Sequence, residues 1–421
     1  MKKRILLIGY NFHPELTGIG KYSGEMMYWL AEHGYDCTVL TTYPYYPHWQ
    51  VQEPYGKKKF GYTTEKTSFP AGGALTVCRC PMYVPAKPSG LKRMLLDFSF
   101  LASATPKLLQ LVAGRRFDAV LVVAPSFQFG LLGILYKKLR NAKFFYHIQD
   151  LQIEAARDLQ MIKSDKLLEY LFKVERYIFK KADVVSSISA GMIRRIAEKA
   201  KKPVTLLPNW TDTELFYPVA ERGHLKQQFG FEATDKIMLY AGAIGEKQGL
   251  EALLHAADNF RNHANWKFVI CGSGPYKQKL QALASSLHLE NVYFFPLQPF
   301  DKFNQFLNSA DVHLVIQKAN ASDLVMPSKL TTILAVGGLA LITANQDSSL
   351  YALVEEHNLG LVVAAESQEA LNEGIRRALT EDNSDIRKQA RWYAETHLSL
   401  ASIMSRFEEV LAAEPAQLVA T

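Results

Sequence analysis

Short runs of consecutive apolar residues recur along the chain, separated by longer stretches in which apolar positions return every three or four residues. The first pattern suits a strand buried on both faces and the second an amphipathic helix. From the start it predicts a strand at Arg4–Gly9, a helix at Gly18–His33 and a strand at Asp36–Thr41, then a long loop rich in Tyr, Pro and Lys. It resumes with a strand at Asp118–Val123, a helix at Phe127–Arg140, a strand at Lys143–His147, a helix at Asp165–Lys181, a strand at Asp183–Ser186 and a helix at Ala190–Lys201.

The rhythm pauses at "LLPNWTDTELFYP", Leu206 to Pro218, where Pro, Asn and Asp cluster as they do in loops. It restarts with strands at Ile237–Ala241, Trp266–Cys271, Val292–Phe295, Asp311–Ile316 and Leu339–Thr343, and helices at Gly249–Phe260, Tyr276–Leu287, Asp301–Ser309 and Ser328–Val336. Strands alternating with helices mean an α/β protein with parallel sheets covered on both faces. The chain has 421 residues, more than the roughly 250–300 that one core supports. We therefore expect two Rossmann-like domains, residues 1–205 and 206–383, with helices from 384 to 421 crossing back to the first. Ligands of open α/β sheets bind outside the carboxyl ends of the strands, so both sheets are expected to face a central crevice. The apolar run Ile5–Ile8 is shorter than the ~7–15 residues of a signal-peptide core. Asp118, Pro125, Ser126 and Gln128 interrupt Phe117–Tyr136, which makes it a poor membrane span.

Charge sharpens the division. The net charge is +7, yet residues 1–205 carry 31 Lys and Arg against 16 Asp and Glu, and the remainder 17 against 25. A basic first half is expected to face something anionic: a membrane surface, a lipid phosphate or nucleic acid. Cys37, Cys78, Cys80 and Cys271 lack zinc-site spacing and the density of a disulfide scaffold, which points to a reducing cytoplasm. Cys78 and Cys80 alternate along a strand-like run and read as core thiols.

Glycine-bearing loops then suggest chemistry. "PELTGIGKYSGEM" has Gly18, Gly20 and Gly24 in G-x-G-x-x-x-G spacing, and Thr41, Thr42 and Tyr43 stand where a dinucleotide site needs an acid. What survives is a close backbone approach at the start of a helix, suited to an anion, with Lys21 beside it. "YAGAIGEKQGLEALLHA" turns at a strand end through Gly242 and Gly245 and presents Lys247; "CGSGPYKQKL" does the same at Gly272, Ser273 and Gly274. "SDLVMPSKLTTILAVGG" places Pro327, Ser328 and Lys329 at a helix start. Three such loops at successive strand ends point to a nucleotide diphosphate. In "YHIQDLQIEAARD" the strand-end residues His147 and Asp150 are best placed to meet a ligand, with Glu154 and Asp158 beyond them. No residue spacing suggests a metal site.

The strings "PELTGIGKY", "PNW", "GAIGEKQGLE", "GSGP" and "PSKLTTILAVGG" together resemble the retaining glycosyltransferases of family 4, which have the two-domain GT-B fold. "PYYPHWQV", "RCPMYVP", "HIQD" and "FPLQ" narrow the resemblance to the colanic-acid-type exopolysaccharide glycosyltransferases, assigned as fucosyltransferases that use GDP-fucose. The resemblance implies a C-terminal domain that binds the sugar nucleotide and an N-terminal domain that receives a lipid-pyrophosphate-linked saccharide at the cytoplasmic face of the inner membrane. It implies transfer with retention and without a metal or other cofactor, and no nucleic acid as partner, although other polysaccharide assembly proteins could join. By this resemblance Lys247 and Lys329 stabilise the departing diphosphate, with His147 or Asp150 beneath the sugar. Gly18, Gly20, Gly242, Gly245, Ser273, Gly274, Asp323, Pro327, Ser328 and Thr332 are expected to hold the donor, and Lys21, Tyr43 and Trp49 the acceptor.

Three positions depart from the family pattern. Thr332 stands where many members have the second Glu of a Glu-x7-Glu motif, and Asp323 is only the nearest acid to the first. Ala243 replaces the usual Arg, and Gln149 occupies the place of a His beside Asp150. Two other readings stay open: an epimerase or phosphorylase on the same fold, and a catalytically silent binding subunit of an assembly complex.

Overall fold

The computed structural model describes residues 3–413 except 16, 17, 125, 159–161, 163 and 319–327. It divides into two compact units, Met1–Leu207 with Met404–Thr421, and Pro208–Ile403.

In the first unit the strands are β1 (Arg4–Ile8), β2 (Asp36–Thr42), β3 (Thr63–Ser68), β4 (Ala74–Cys80), β5 (Ala119–Ala124), β6 (Lys143–Ile148), β7 (Val184–Ser187) and β8 (Thr205–Leu206). They form one sheet in the order β3-β4-β2-β1-β5-β6-β7-β8. All neighbours are parallel except β3, which runs antiparallel to β4. Every residue of β5 is buried, as expected of a central strand covered on both faces. Cys78 and Cys80 lie in the core, and Cys37 and Cys271 are likewise buried free thiols.

Two parts of this unit depart from the sequence reading. The stretch read as one long loop holds the β3–β4 hairpin and the helix α2 (Gly90–Ala113) as well as loop. The side chain of Arg79 on β4 is almost wholly buried, bonded to the Glu65 carboxylate at 2.9 Å and to the Thr42 and His13 carbonyls at 3.0 Å each. A buried guanidinium is tolerable only with its donors satisfied, so Arg79 fixes the segment that leads into α1 (Gly18–Glu32).

The second unit holds β9 (Lys236–Ala241), β10 (Trp266–Cys271), β11 (Val292–Phe295), β12 (Val312–Val315), β13 (Ala340–Thr343) and β14 (Gly360–Val363). The order is β11-β10-β9-β12-β13-β14, parallel throughout. Both units are thus parallel-sheet α/β folds, as expected. The strand order reverses at β1/β5 in the first sheet and at β9/β12 in the second, and the carboxyl ends at such reversals are where ligands bind.

The helix Ser384–Tyr393 stays in the second unit, whose core takes up Ala390, Tyr393, Ala394 and Leu398; the chain rejoins the first unit at Met404. There Phe407 packs on Phe145 with ring centroids 5.8 Å apart, and Tyr35 donates to the Glu408 carboxylate at 2.7 Å. Lys143 Nζ donates to the carbonyls of Val410 and Ala413, a cation on a helix carboxyl end.

Candidate functional site

In the second unit the loops after β9 and β10 continue the ladder of their strands: the Gly242 amide donates to the Cys271 carbonyl and the Ile244 amide to the Ser273 carbonyl, each at 2.9 Å. The backbones approach so closely that a Cβ on Gly272 would lie 1.9 Å from the Gly242 oxygen, and one on Gly274 2.1 Å from the Ile244 oxygen. These glycines let two strand-end loops merge into one layer, with Ser273 and Gly274 exposed on it.

Lys329 sits in the first turn of the helix Ser328–Ala335. Its Nζ lies 3.6 Å from the centroid of the Tyr240 ring, and a Cβ on Gly242 would stand 3.0 Å from that nitrogen. The ring face attracts the ammonium, while burial pushes its pKa down to about 7. The structure therefore brings Lys329 to the Gly242 loop. Ser328, exposed, and Thr332, half-buried, follow the same side of that helix at one-turn spacing. Gly245 donates its amide to the Gln248 side chain at 3.1 Å, closing the short turn Glu246–Gln248. Lys247 belongs to that turn, but its side chain lies outside the described residues, as do Asp323 and Pro327 entirely. Lys277, not singled out in the sequence, donates to the Gly272 and Phe295 carbonyls at 3.2 Å each and fastens the β10 loop to β11.

In the first unit several residues read as ligand-binding turn out to be engaged by the protein. His147 on β6 is 2% exposed; its Nδ1 is 3.0 Å from Ser186 Oγ on β7, and burial lowers its pKa to about 4. It is a neutral residue inside the sheet. Asp150, beyond the end of β6, is exposed. Glu154 is buried and salt-bridged to Lys199, which also holds Glu175. Tyr43 is 1% exposed and donates its hydroxyl to the Gly61 carbonyl at 2.9 Å, so it props the β3 hairpin. Lys21 stands 3.8 Å from Glu25 and over the Tyr22 ring.

Gly20 has a role the sequence did not reveal. The space its Cβ would occupy is filled by the Glu15 side chain, whose Cβ and Oε2 would each lie 2.6 Å away. Glu15 is buried and accepts from the Tyr45 and Tyr46 amides at 2.9 Å each and from Asn11 Nδ2 at 2.8 Å. Gly18, by contrast, is exposed with φ +58°, the left-handed region that favours glycine. Gly20→Ala is expected to displace this carboxylate and cost roughly 2–4 kcal/mol, because buried amides lose their acceptor; equal urea midpoints for the variant and wild type would refute this.

At the β1/β5 reversal a second group gathers. Asp97, half-buried, bonds with the Tyr10 hydroxyl and with Ser126, just past the ends of those strands. Burial raises its pKa to about 6, moderated by these bonds and by Arg93. The Arg93 guanidinium lies 5.2 Å over the half-buried Trp49 ring, which meets Tyr45 edge-on at 5.8 Å. A carboxylate whose folded pKa is raised leaves the folded state holding more protons between its unfolded and folded pKa values, so stability falls as pH rises from about 4 to about 6. Asp97→Asn should accordingly be more stable than wild type by about 1–3 kcal/mol at pH 7, with the gap closing towards pH 4 in thermal melts; a gap that does not change with pH would disprove the assignment.

Comparison with known proteins adds the following. Residues 17–210 match the family described as glycosyl transferase 4-like domain, and residues 221–397 that described as glycosyl transferases group 1. The chain is 41% identical over 415 residues, 96% of its own length and 98% of the relative's, to WcaI of Escherichia coli (strain K12), named as a glycosyl transferase of colanic acid biosynthesis. Its fold is similar to sucrose-phosphate synthase from Thermosynechococcus elongatus, with TM-score 0.74, 18% identity and coverage of 97% of this chain and 98% of that one. It is also similar to HepE of Anabaena in complex with UDP and glucose, with TM-score 0.68, 13% identity and coverage of 97% and 99%.

Proposed function

Because the chain belongs to the group 1, 4-like glycosyltransferases of GT-B fold, we propose that it moves a hexose, fucose from GDP-fucose, to a lipid-carrier-linked oligosaccharide in the assembly of a colanic-acid-like exopolysaccharide. In this reading the second unit binds the nucleotide diphosphate, the first unit binds the acceptor, and the reaction runs with retention and no metal at the cytoplasmic face of the inner membrane. The observation that carries it is Lys329. A half-buried lysine whose ammonium rests over an aromatic ring beside a glycine loop offers a fixed cation to a leaving diphosphate, whose negative charge grows in the transition state. Helix amides from Ser328 on and the exposed edge at Ser273 and Gly274 supply further donors. Asp150 is the polar group assigned to the sugar, since His147 is enclosed.

The test has two stages. A panel of GDP-, UDP- and dTDP-sugars is screened for a rise in melting temperature, because a ligand that binds only the folded state must produce one. Radiolabel transfer to membrane extracts follows, with the anomeric configuration of the product read by NMR. Transfer from GDP-fucose with retained configuration is expected; nucleotide binding without transfer from any donor would defeat the proposal. Thr332 and Ala243, which lack the carboxylate and guanidinium of the family pattern, favour a second reading as a silent binding subunit. That reading prevails if Lys329→Ala and Asp150→Ala both leave polymer synthesis intact while deletion abolishes it.

A further inference from the structure

The amino-terminal edge of the second sheet gathers charge that the proposed reaction does not use. There one carboxylate, that of Asp311 just before β12, faces three cations. Lys226 Nζ donates to its Oδ2 at 2.8 Å, and the Ile237 amide near the start of β9 donates to the same oxygen at 2.8 Å. Arg387, on the helix Ser384–Tyr393, donates its Nη2 to the Asp311 carbonyl. Arg222 is attracted by the same carboxylate, and the two arginines repel one another.

These charges do not balance. Burial depresses the pKa of both guanidiniums, that of Arg387 to about 10, and among the described residues Asp311 is the carboxylate that offsets this. Arg387 Nη1 is enclosed and has no hydrogen-bond partner among the described residues. His313 on β12 is 2% exposed and stays neutral, because burial and the same two arginines hold its pKa down to about 3. A buried cation short of partners costs free energy until an anion joins it.

Beside the cluster opens a cavity of about 250 Å³, many times the ~10–15 Å³ that one water needs. It is lined by Asp311 and Arg387, by Lys236 at the start of β9, and by Glu381, Asp382 and Ser384 where the helices Gln368–Thr380 and Ser384–Tyr393 meet. The two acids added here do not answer the arginines. Glu381 pairs with Arg377 and Asp382 accepts from the Ser384 amide at 3.0 Å, and both are exposed to solvent. β9 spans six residues, so the cavity lies roughly 20 Å from the glycine loops at the carboxyl edge of the sheet. It is separate from the place assigned to the nucleotide.

We propose that this cavity is a second anion site, which takes the phosphate group of a small ligand against Arg387 and Lys236. Such an anion brings the missing counter-charge, and a turn of the Arg387 guanidinium gives Nη1 its acceptor; the planar fork suits two phosphate oxygens. The site does not depend on which sugar the protein transfers.

The full chain is melted in rising sodium phosphate, in rising sodium glycerol 3-phosphate, and in sodium chloride of equal ionic strength. Phosphate is expected to raise the melting temperature by several degrees more than chloride, with saturation. A stronger effect of glycerol 3-phosphate assigns the site to phosphomonoesters and a weaker one to the inorganic ion, and either upholds it. Lys236→Glu, which alters an exposed side chain, should melt like wild type in chloride and bind phosphate about fivefold more weakly or worse. Arg387→Gln should lose the response. Lys329→Met should keep it, since that lysine stands at the other edge of the sheet. A rise no larger than that in chloride overturns the inference. So does a rise that Lys329→Met removes, which would give the anion to the nucleotide site, or one that both Lys236→Glu and Arg387→Gln leave intact. If Arg387→Gln does not fold, Lys236→Glu alone decides.

Discussion

Lys329→Met is expected to slow sugar transfer by about 10²–10³-fold, the usual cost of removing one preorganised donor from a site of growing negative charge. It should do so without harming the fold. The Lys329 ammonium rests over Tyr240, and burial is the cause of its lowered pKa. A lysine whose folded pKa is depressed leaves the unfolded state holding more protons between about 7 and its ordinary value. Stability therefore rises with pH through that window, and the variant, freed of the buried charge, should gain on the order of 1–3 kcal/mol at pH 7. The same logic ties donor binding to a proton. In the proposed reading a diphosphate beside Lys329 would supply the counter-charge and raise its pKa, so donor binding at pH 8 should take up a fraction of a proton, seen by calorimetry in buffers of different ionisation enthalpy. Transfer by the variant within about threefold of wild type would refute a catalytic part for this lysine.

Gly274→Ala is expected to destabilise the second unit by about 3 kcal/mol, roughly 6–12 °C in melting temperature, and to abolish the nucleotide-induced melting shift. The added Cβ would meet the Ile244 carbonyl at 2.1 Å, backbone against backbone, with no flexible side chain to yield. Gly230→Ala is the matched control: its φ of +83° is also unfavourable to alanine, but nothing lies within 4 Å of the new Cβ. It should cost about 1 kcal/mol and leave the ligand response intact. Similar losses in both variants would mean that backbone conformation, and not the merging of the two loops, makes glycine necessary at 274.

Much of the fold was legible because its central strands are buried on both faces and write themselves as unbroken apolar runs, β5 and β9 above all. The glycine loops after β9 and β10 were legible because few residue types can turn a strand end so tightly, and Lys329 stood out by its place beside Ser328 at a helix start. What stayed hidden had physical reasons. With apolar residues on opposite faces, α2 lacks the polar stripe that makes a helical period visible, so it read as loop. β3, with the sequence TTEKTS, joins the sheet through backbone pairing to β4 and shows almost no apolar alternation. His147 and Tyr43 are residue types at home in a site or in a core, and only their neighbours across the sheet decide between the two. Glu15 and Asp97 were overlooked because the groups that mark them out, the Tyr45 and Tyr46 amides for Glu15 and the Tyr10 and Ser126 hydroxyls for Asp97, come from 29 to 87 residues away in sequence.

The return of the chain at Met404 bears on biosynthesis. The surface that Phe407 and Glu408 cover on Phe145 and Tyr35 is made early in translation, whereas the covering helix emerges only after all of Pro208–Ile403. At ribosomal speeds of ~5–20 residues per second, the first unit waits roughly 10–40 s with that surface open. The nascent chain thus presents a temporary sticky face to chaperones, and a ribosome stalled within the second unit would leave a first unit that cannot be finished.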